Sequence, residues 1–173
     1  MKKDYQHIVH NIPPVYDHNS RILILGSFPS PKSREACFFY GHPQNRFWKV
    51  MARLYDRPDF TGIEEKKQFI LEKHIAMWDS IYECDIRGAS DASIKNAVPT
   101  DLEKIIRCGN IVQIFTNGKV SGRVFDKYQA KRLCRTSITL PSTSPANAAW
   151  SLDRLLEEWK IVRDTLDNNS LCP

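Results

Sequence analysis

Apolar and polar residues form two distinct patterns along this chain. Four short, nearly continuous apolar runs are rich in branched and aromatic side chains, which is typical of strands buried inside a parallel sheet. These runs lie at residues 22–25, 75–78, 110–116 and 136–140. Other segments repeat apolar residues every three or four positions, which predicts helices.

Helices are predicted over residues 45–55, 64–73 and 119–130, with Val120, Val124 and Tyr128 on one face of the third. Thr100 and Glu103 form a capping-box pattern, which predicts a further helix start. A last helix carries a long apolar stripe, formed by Leu152, Leu155, Leu156, Trp159, Val162 and Leu166. Strands alternating with helices predict an α/β fold, a three-layer α/β/α sandwich with a central four-stranded parallel sheet.

Polar, loop-forming residues follow each predicted strand. They are Gly26 and Ser27, Asp79 and Ser80, Asn117 and Gly118, and Ser142, Thr143 and Ser144. The carboxyl ends of parallel strands lie at one edge of the sheet, where ligands bind in such folds. We therefore expect the four strand ends to converge on one site.

The connection after the first strand contains many candidate catalytic and binding side chains. It extends over residues 26–45 and contains serine, aromatic, histidine and asparagine side chains. Loops between a strand and a helix usually have about 2–6 residues, and longer ones are commonly functional. This length favours a functional loop over a simple connection.

Two segments show no strong pattern. Residues 1–20 are predicted to be a lead-in lying across the domain, anchored by Ile8, Val9 and Ile12. Residues 83–96 are polar and rich in turn formers, and we expect a loop over the edge of the sheet.

Chain length and net charge exclude few classes of fold or function. The 173 residues suit about one domain, and a net charge of +5 permits nucleic-acid binding without establishing it. The chain has no apolar run near the roughly 20 residues of a membrane span and no apolar signal-peptide segment at its start. We therefore expect a cytoplasmic protein.

The cysteines do not predict a metal site. The five residues, Cys37, Cys84, Cys108, Cys134 and Cys172, are scattered, without the spacing of zinc ligands. We expect reduced thiols that are mostly buried.

Three segments together resemble one known family. They are GSFPS at residues 26–30, FFYGHPQNRFW at residues 38–48 and PSTSPAN at residues 141–147, of which HPQNRFW is the most specific. The pattern resembles the uracil-DNA glycosylase superfamily, and within it the mismatch-specific and the hypoxanthine (deoxyinosine) branches. The resemblance extends over about residues 21–159.

The chain shows no repeat and no linker, so we expect a single domain over residues 1–173, and we expect a monomer. The resemblance implies catalysis without a metal, and no cofactor is expected. It implies a monofunctional DNA glycosylase that flips a deaminated base out of DNA and excises it, leaving an abasic site in the DNA of the cytoplasm and nucleoid. Hypoxanthine is the favoured base. The alternatives are a preference for uracil or xanthine, or a catalytically silent protein that binds damaged DNA.

The resemblance also suggests roles for individual residues. Mismatch-specific enzymes have a water-positioning asparagine where this chain has Phe28, so the catalytic asparagine is expected at Asn45. Base-binding residues are expected at Gly26, Ser27, Phe28, Tyr40, His42 and Asn117. DNA-binding residues are expected at Ser30, Lys32, Ser142, Thr143, Ser144, Pro145 and Asn147.

Asp79 is a further catalytic candidate because it is the only carboxylate at the end of a predicted strand. It could orient a water, accept a base N–H or merely cap the next turn. Asn45 could equally cap its helix, and Asn117 could form a turn. His42 could position Asn45, contact a phosphate or make a structural hydrogen bond.

Overall fold

The computed structural model describes residues 4–169, which form two sheets. The strands are β1 Gln6–Val9, β2 Ile22–Gly26, β3 Ile75–Asp79, β4 Ile81–Ile86, β5 Lys95–Pro99, β6 Gln113–Asn117 and β7 Ser137–Leu140. The helices are α1 Pro31–Ala36, α2 Phe47–Leu54, α3 Ile63–Glu72, α4 Glu103–Cys108, α5 Lys119–Tyr128, α6 Ala130–Leu133 and α7 Leu152–Asn169.

The larger sheet confirms the predicted α/β fold. Its four strands are parallel, in the order β3-β2-β6-β7, and helices flank it. Every residue of β2 is buried, as is expected when both faces of a strand are covered. Gly26 pairs with Asp79 and Asn117 pairs with Leu140, so the strand ends lie in register at one edge.

The last helix packs as its apolar stripe predicts. Leu155, Trp159 and Val162 are fully buried, and the Trp159 ring packs edge-on against Phe47 of α2 at 5.7 Å between centroids. The Trp159 indole N–H also donates to the carbonyl of Pro141 at 3.0 Å. Helix α7 therefore supports both α2 and the loop that follows β7.

Helix α5 buries a different face from the one its apolar residues suggest. Its fully buried residues are Ser121, Gly122 and Phe125, whereas Val120, Val124 and Tyr128 remain partly exposed. A side chain at Gly122 would overlap the Thr139 hydroxyl of β7. Small residues face the sheet because the helix lies too close to it for larger ones.

A second, antiparallel sheet of order β1-β4-β5 corrects the expectation of a loop over residues 83–96. That segment completes β4, makes a single 3₁₀ turn at Asp91–Ser93 and begins β5. A small apolar cluster holds the sheet in place, formed by Phe28, Ile81, Cys84 and Ile86. Only three residues of β4 contribute to it, and the polar residues between them give the segment a polar sequence.

The lead-in is also partly ordered as a strand. β1 pairs with β4, and Ile12 is buried as expected. Val9 is 45% exposed, so its predicted anchoring role is wrong. Ile8 packs against the small cluster, and the alternation of a strand turns its neighbour Val9 outward.

Two smaller expectations are wrong. Helix α4 begins at Glu103, and the Thr100 hydroxyl donates to the carbonyl of Asp79 at 2.7 Å instead of capping the helix. Cys84 is buried, but the thiols at Cys37, Cys108 and Cys134 are exposed, and Cys172 lies outside the described residues.

Within residues 4–169, no helix is long and apolar enough to cross a membrane.

We predict that Trp159→Ala lowers the free energy of unfolding by about 3–5 kcal/mol, because it leaves a cavity between α7 and α2. The matched control is Ile161→Ala on the same helix. Ile161 is exposed, so its truncation should change stability by about 0.5 kcal/mol or less. Urea denaturation followed by circular dichroism measures both, and equal effects would contradict the packing described here.

Candidate active site

One cavity of about 840 Å³ lies at the carboxyl edge of the parallel sheet. Its volume is within the range of small-molecule sites, about 300–1,000 Å³. The strand ends contribute Gly26, Asp79 and Asn117, and the loops contribute Ser27, Phe28, Ser30, Tyr40, Asn45, Asp91, Ser142, Thr143, Ser144 and Asn147. The predicted convergence of strand ends is therefore what the structure shows.

Asp79 rests directly against Gly26 on the neighbouring strand. A side chain at Gly26 would overlap Asp79 Oδ1 and would lie 3.3 Å from the Tyr40 hydroxyl. Glycine is needed here because the carboxylate occupies the space that a Cβ atom would fill. Asp79 itself is only 4% exposed, so its charge needs a partner.

That partner is His10, which the sequence reasoning missed. The backbone N–H of Ile12 donates to His10 Nδ1 at 3.1 Å, so Nδ1 must be the acceptor nitrogen. His10 Nε2 therefore carries the proton and donates it to Asp79 Oδ2 at 2.8 Å. A neutral imidazole thus holds one oxygen of the carboxylate.

A polar network fixes Asn45. Its side-chain oxygen accepts from the backbone N–H of Phe47 at 2.9 Å and from the Thr143 hydroxyl at 3.0 Å. Because a backbone N–H can only donate, the atom facing it must be the amide oxygen. Asn45 satisfies a free N–H at the start of α2, and its NH2 group has no hydrogen-bond partner within residues 4–169.

Asn117 completes this network from the end of β6. Its amide oxygen accepts from the Thr143 N–H at 3.0 Å, and its NH2 group donates to the Thr143 hydroxyl at 2.9 Å. The Thr143 hydroxyl must then use its own proton for Asn45. Asn117 lines the cavity as predicted, but its amide mainly holds Thr143.

Arg46 clamps the loop that follows β7, a role that no local sequence pattern predicts. Its guanidinium donates to four backbone carbonyls, those of Thr143, Ser144, Asn147 and Trp150. Its own backbone N–H also donates to the Thr143 carbonyl at 3.1 Å. Arginine suits this position because its planar fork offers five donors.

Aromatic side chains form one wall. Tyr40 stacks on Phe47 at 4.0 Å between centroids and has a positive φ of 54°, which is uncommon for a bulky residue. Its buried hydroxyl has no hydrogen-bond partner among residues 4–169. Burial and the Asp79 carboxylate raise the pKa of this hydroxyl, and the Asn117 amide opposes the shift, so Tyr40 stays neutral.

The structure brings most of the predicted residues to the cavity wall, but not all of them. Ser30 reaches it while its hydroxyl accepts from the Ser33 N–H at the start of α1. Lys32 is exposed and paired with Glu35, and His42 Nδ1 accepts from the Gln44 N–H at 3.1 Å. These two residues and Pro145 lie outside the wall, and their roles in binding stay predictions.

Asp91 is a wall residue that sequence reasoning missed. It lies on the turn between β4 and β5, where the sequence predicted a loop over the edge of the sheet. The Ser27 hydroxyl donates to its carboxyl group. No three metal-binding side chains cluster in the described part of the chain.

Comparison with known proteins identifies the family. The profile of the uracil DNA glycosylase superfamily matches residues 13–166. This chain belongs to that superfamily. The resemblance inferred from GSFPS, HPQNRFW and PSTSPAN is thereby confirmed.

Individual relatives agree with this assignment. A hypoxanthine DNA glycosylase of Methanosarcina acetivorans is 28% identical over 157 residues, which cover 90% of this chain and 98% of the relative. One of Methanosarcina barkeri is 31% identical over 113 residues, 64% of this chain and 71% of the relative. The NMR structure of a candidate uracil DNA glycosylase from M. acetivorans superposes on this chain with a TM-score of 0.78 and 27% sequence identity. The superposition covers 94% of this chain and 99% of that structure.

We predict that Arg46→Lys loosens the loop of this glycosylase-family chain without unfolding it, because one ammonium group cannot bind four carbonyls. Losing charge-assisted hydrogen bonds should speed amide hydrogen exchange in residues 142–150 by about tenfold or more. The control is Arg53→Lys, an exposed position on α2, where exchange in the loop should not change. Unchanged exchange in both variants would show that Arg46 does not hold the loop.

Proposed function

We propose that this protein is a monofunctional DNA glycosylase that excises a deaminated base, with hypoxanthine favoured. The observation that carries the proposal is the cavity at the strand ends, which is lined by both Asn45, with its unpaired NH2 group, and the buried carboxylate of Asp79. Both named M. acetivorans and M. barkeri relatives are hypoxanthine enzymes, which supports the choice of base. Family membership supports DNA as the substrate.

The cavity can hold a base only after the nucleotide leaves the DNA stack. The flipped base would enter the space beside Tyr40 and Phe28, which line the cavity. Tyr40 is braced from behind by Phe47, so its ring is fixed before the base arrives. A preformed wall reduces the entropy lost on binding.

Asn45 is proposed to stabilise the leaving base. Breaking the N-glycosidic bond leaves electrons on the base, and a hydrogen-bond donor held in place stabilises that charge. The Asn45 oxygen is held by Phe47 and Thr143, so the NH2 group lies on the opposite side of the amide and is available to donate. The network orients the donor before the reaction begins.

Asp79 is proposed to act on the sugar side of the bond. The sugar gains positive charge as the base departs, and a nearby carboxylate stabilises it and orients the attacking water. The water oxygen bonds to the sugar carbon, its proton passes to Asp79, and the base leaves with the bonding electrons. His10 occupies Oδ2 and leaves Oδ1 against Gly26 for this task.

The DNA strand is proposed to lie along the loop that follows β7. Ser142, Ser144 and Asn147 line the cavity, and small residues there allow phosphates to approach the backbone. Lys119 also reaches the cavity wall and adds positive charge. We further propose that residues 1–173 form one functional unit that acts as a monomer on cytoplasmic, nucleoid-associated DNA.

We predict that the wild-type protein converts an oligonucleotide containing hypoxanthine to an abasic product that breaks only after alkali treatment. Asn45→Ala should lower the single-turnover rate by about 10²–10³-fold, the usual loss for one oriented donor. Asn45→Asp should lose as much, because it keeps the acceptor oxygen but lacks the NH2 group. The same assay on oligonucleotides that carry uracil or xanthine would rank the three bases by their excision rates.

Two results would contradict these assignments. Full activity of Asn45→Asp would mean that the amide oxygen, not the NH2 group, does the work. Absence of excision by the wild type on every lesion, in single and double strands, would reject the glycosylase activity. Salt-dependent binding to the same oligonucleotides would then favour a protein that only binds damaged DNA.

We predict that Asp79→Asn lowers the single-turnover rate by about 10²–10⁴-fold, because the neutral amide can neither accept the proton nor balance the sugar's charge. The amide oxygen can still accept from His10, so the fold should survive. DNA binding measured by fluorescence anisotropy should change little. Loss of binding in step with the rate would assign Asp79 to substrate binding instead.

A further inference from the structure

The turn between β4 and β5 delivers a carboxyl group to the wall of the cavity. Residues 89–92 of this turn line the cavity, and Asp91 is the charged residue among them. The Ser27 hydroxyl, at the end of β2, donates to Asp91 Oδ2. Asp91 therefore faces the site from the small antiparallel sheet.

The turn holds Asp91 in position through its own hydrogen bonds. The Ser93 hydroxyl donates to the Ser90 carbonyl at 2.7 Å and accepts from the Arg87 N–H at 2.9 Å. The Ile94 N–H donates to the Asp91 carbonyl at 3.2 Å. These bonds fix the backbone of the turn, and the Ser27 hydroxyl fixes the carboxyl group, so Asp91 is oriented before a base binds.

Asn117, Asn45 and Asp79 already have partners or proposed roles in the chemical step. Both ends of the Asn117 amide bind Thr143, and the Asn45 oxygen accepts two hydrogen bonds. Asp79 shares one oxygen with His10. Asp91 has one oxygen engaged by Ser27, while its Oδ1 has no hydrogen-bond partner in the part of the chain that the structure describes.

We infer that Asp91 is a specificity-determining residue, which accepts a hydrogen bond from the ring N–H of a deaminated base. The inference rests on the proposed glycosylase activity. Deamination turns a ring nitrogen that accepts, beside an amino group, into a ring N–H that donates, beside a carbonyl. A carboxylate oxygen attracts that N–H and repels the lone pair of the unmodified base.

Burial strengthens this preference. Burial raises the pKa of the Asp91 carboxyl, the Ser27 hydroxyl lowers it, and the Asp79 charge raises it again. Burying an ionised carboxylate is unfavourable unless hydrogen-bond donors contact it, and the N–H of the base supplies one. The ionised carboxyl and the deaminated base therefore stabilise each other.

The test compares two bases that differ at the proposed contact. Hypoxanthine carries the ring N–H and the 6-oxo group, whereas an unsubstituted purine base has neither. In Asp91→Asn, the amide oxygen can accept from Ser27, which turns the NH2 group toward the N–H of the base. Excision of hypoxanthine should fall by about 10²-fold or more. Excision of purine should stay the same or rise, because the NH2 group, unlike the carboxylate oxygen, does not repel the lone pair of its ring nitrogen.

Two further variants make the comparison decisive. Asp126→Asn, at an exposed position on α5, should leave both rates unchanged. Ser27→Ala keeps the turn intact but removes the donor that orients Asp91, so it should lower hypoxanthine excision more than purine excision. It also serves as the test if Asp91→Asn does not fold, as judged by its circular dichroism and thermal transition.

Each other outcome overturns the inference. Equal losses on the two bases would show that Asp91 only supports the structure or the chemical step. Unchanged rates on both would show that it does not touch the base. Failure of the wild type to excise hypoxanthine would reject the proposed function, and the inference with it, before any variant is compared.

Discussion

The guanidinium group of Arg46 ties the two halves of the site together. Through four backbone carbonyls it joins the start of α2 to the loop that follows β7. That loop places Thr143 between Asn45 and Asn117, and the direction of each hydrogen bond follows from the donors available. Without this clamp, the amide of Asn45 would keep only its local bond to the Phe47 N–H, because its second partner, Thr143, is 98 positions away in the chain.

Much of the larger sheet could be predicted because burial on both faces leaves an unmistakable pattern. An unbroken apolar run is typical of an interior strand, and this chain has one at Ile22, Leu23, Ile24 and Leu25. Parallel strands share a carboxyl edge, so the positions of Asp79 and Asn117 followed from topology alone. The stripe on α7 was equally clear, since Trp159 and its neighbours repeat at helical spacing.

The smaller sheet escaped prediction for physical reasons. Its strands bury only one face, and register shifts between β4 and β5 break the alternation that would reveal them. Asp91 reaches the cavity on a turn of this sheet, and His10, which contacts Asp79, directly follows β1, so their positions could not be inferred from local sequence. The buried face of α5 was missed because close packing, which favours Ser121 and Gly122, carries no hydrophobic signal.

The division of the cavity between two sheets has an evolutionary consequence. Asn45, Thr143 and Arg46 belong to elements around the parallel sheet, whereas Asp91 lies on a turn held by its own hydrogen bonds and a four-residue apolar cluster. On the inferred role of Asp91, mutations in that turn change which base is accepted without disturbing the proposed catalytic groups around the parallel sheet. Related chains would then diversify their substrates by exchanging one short hairpin.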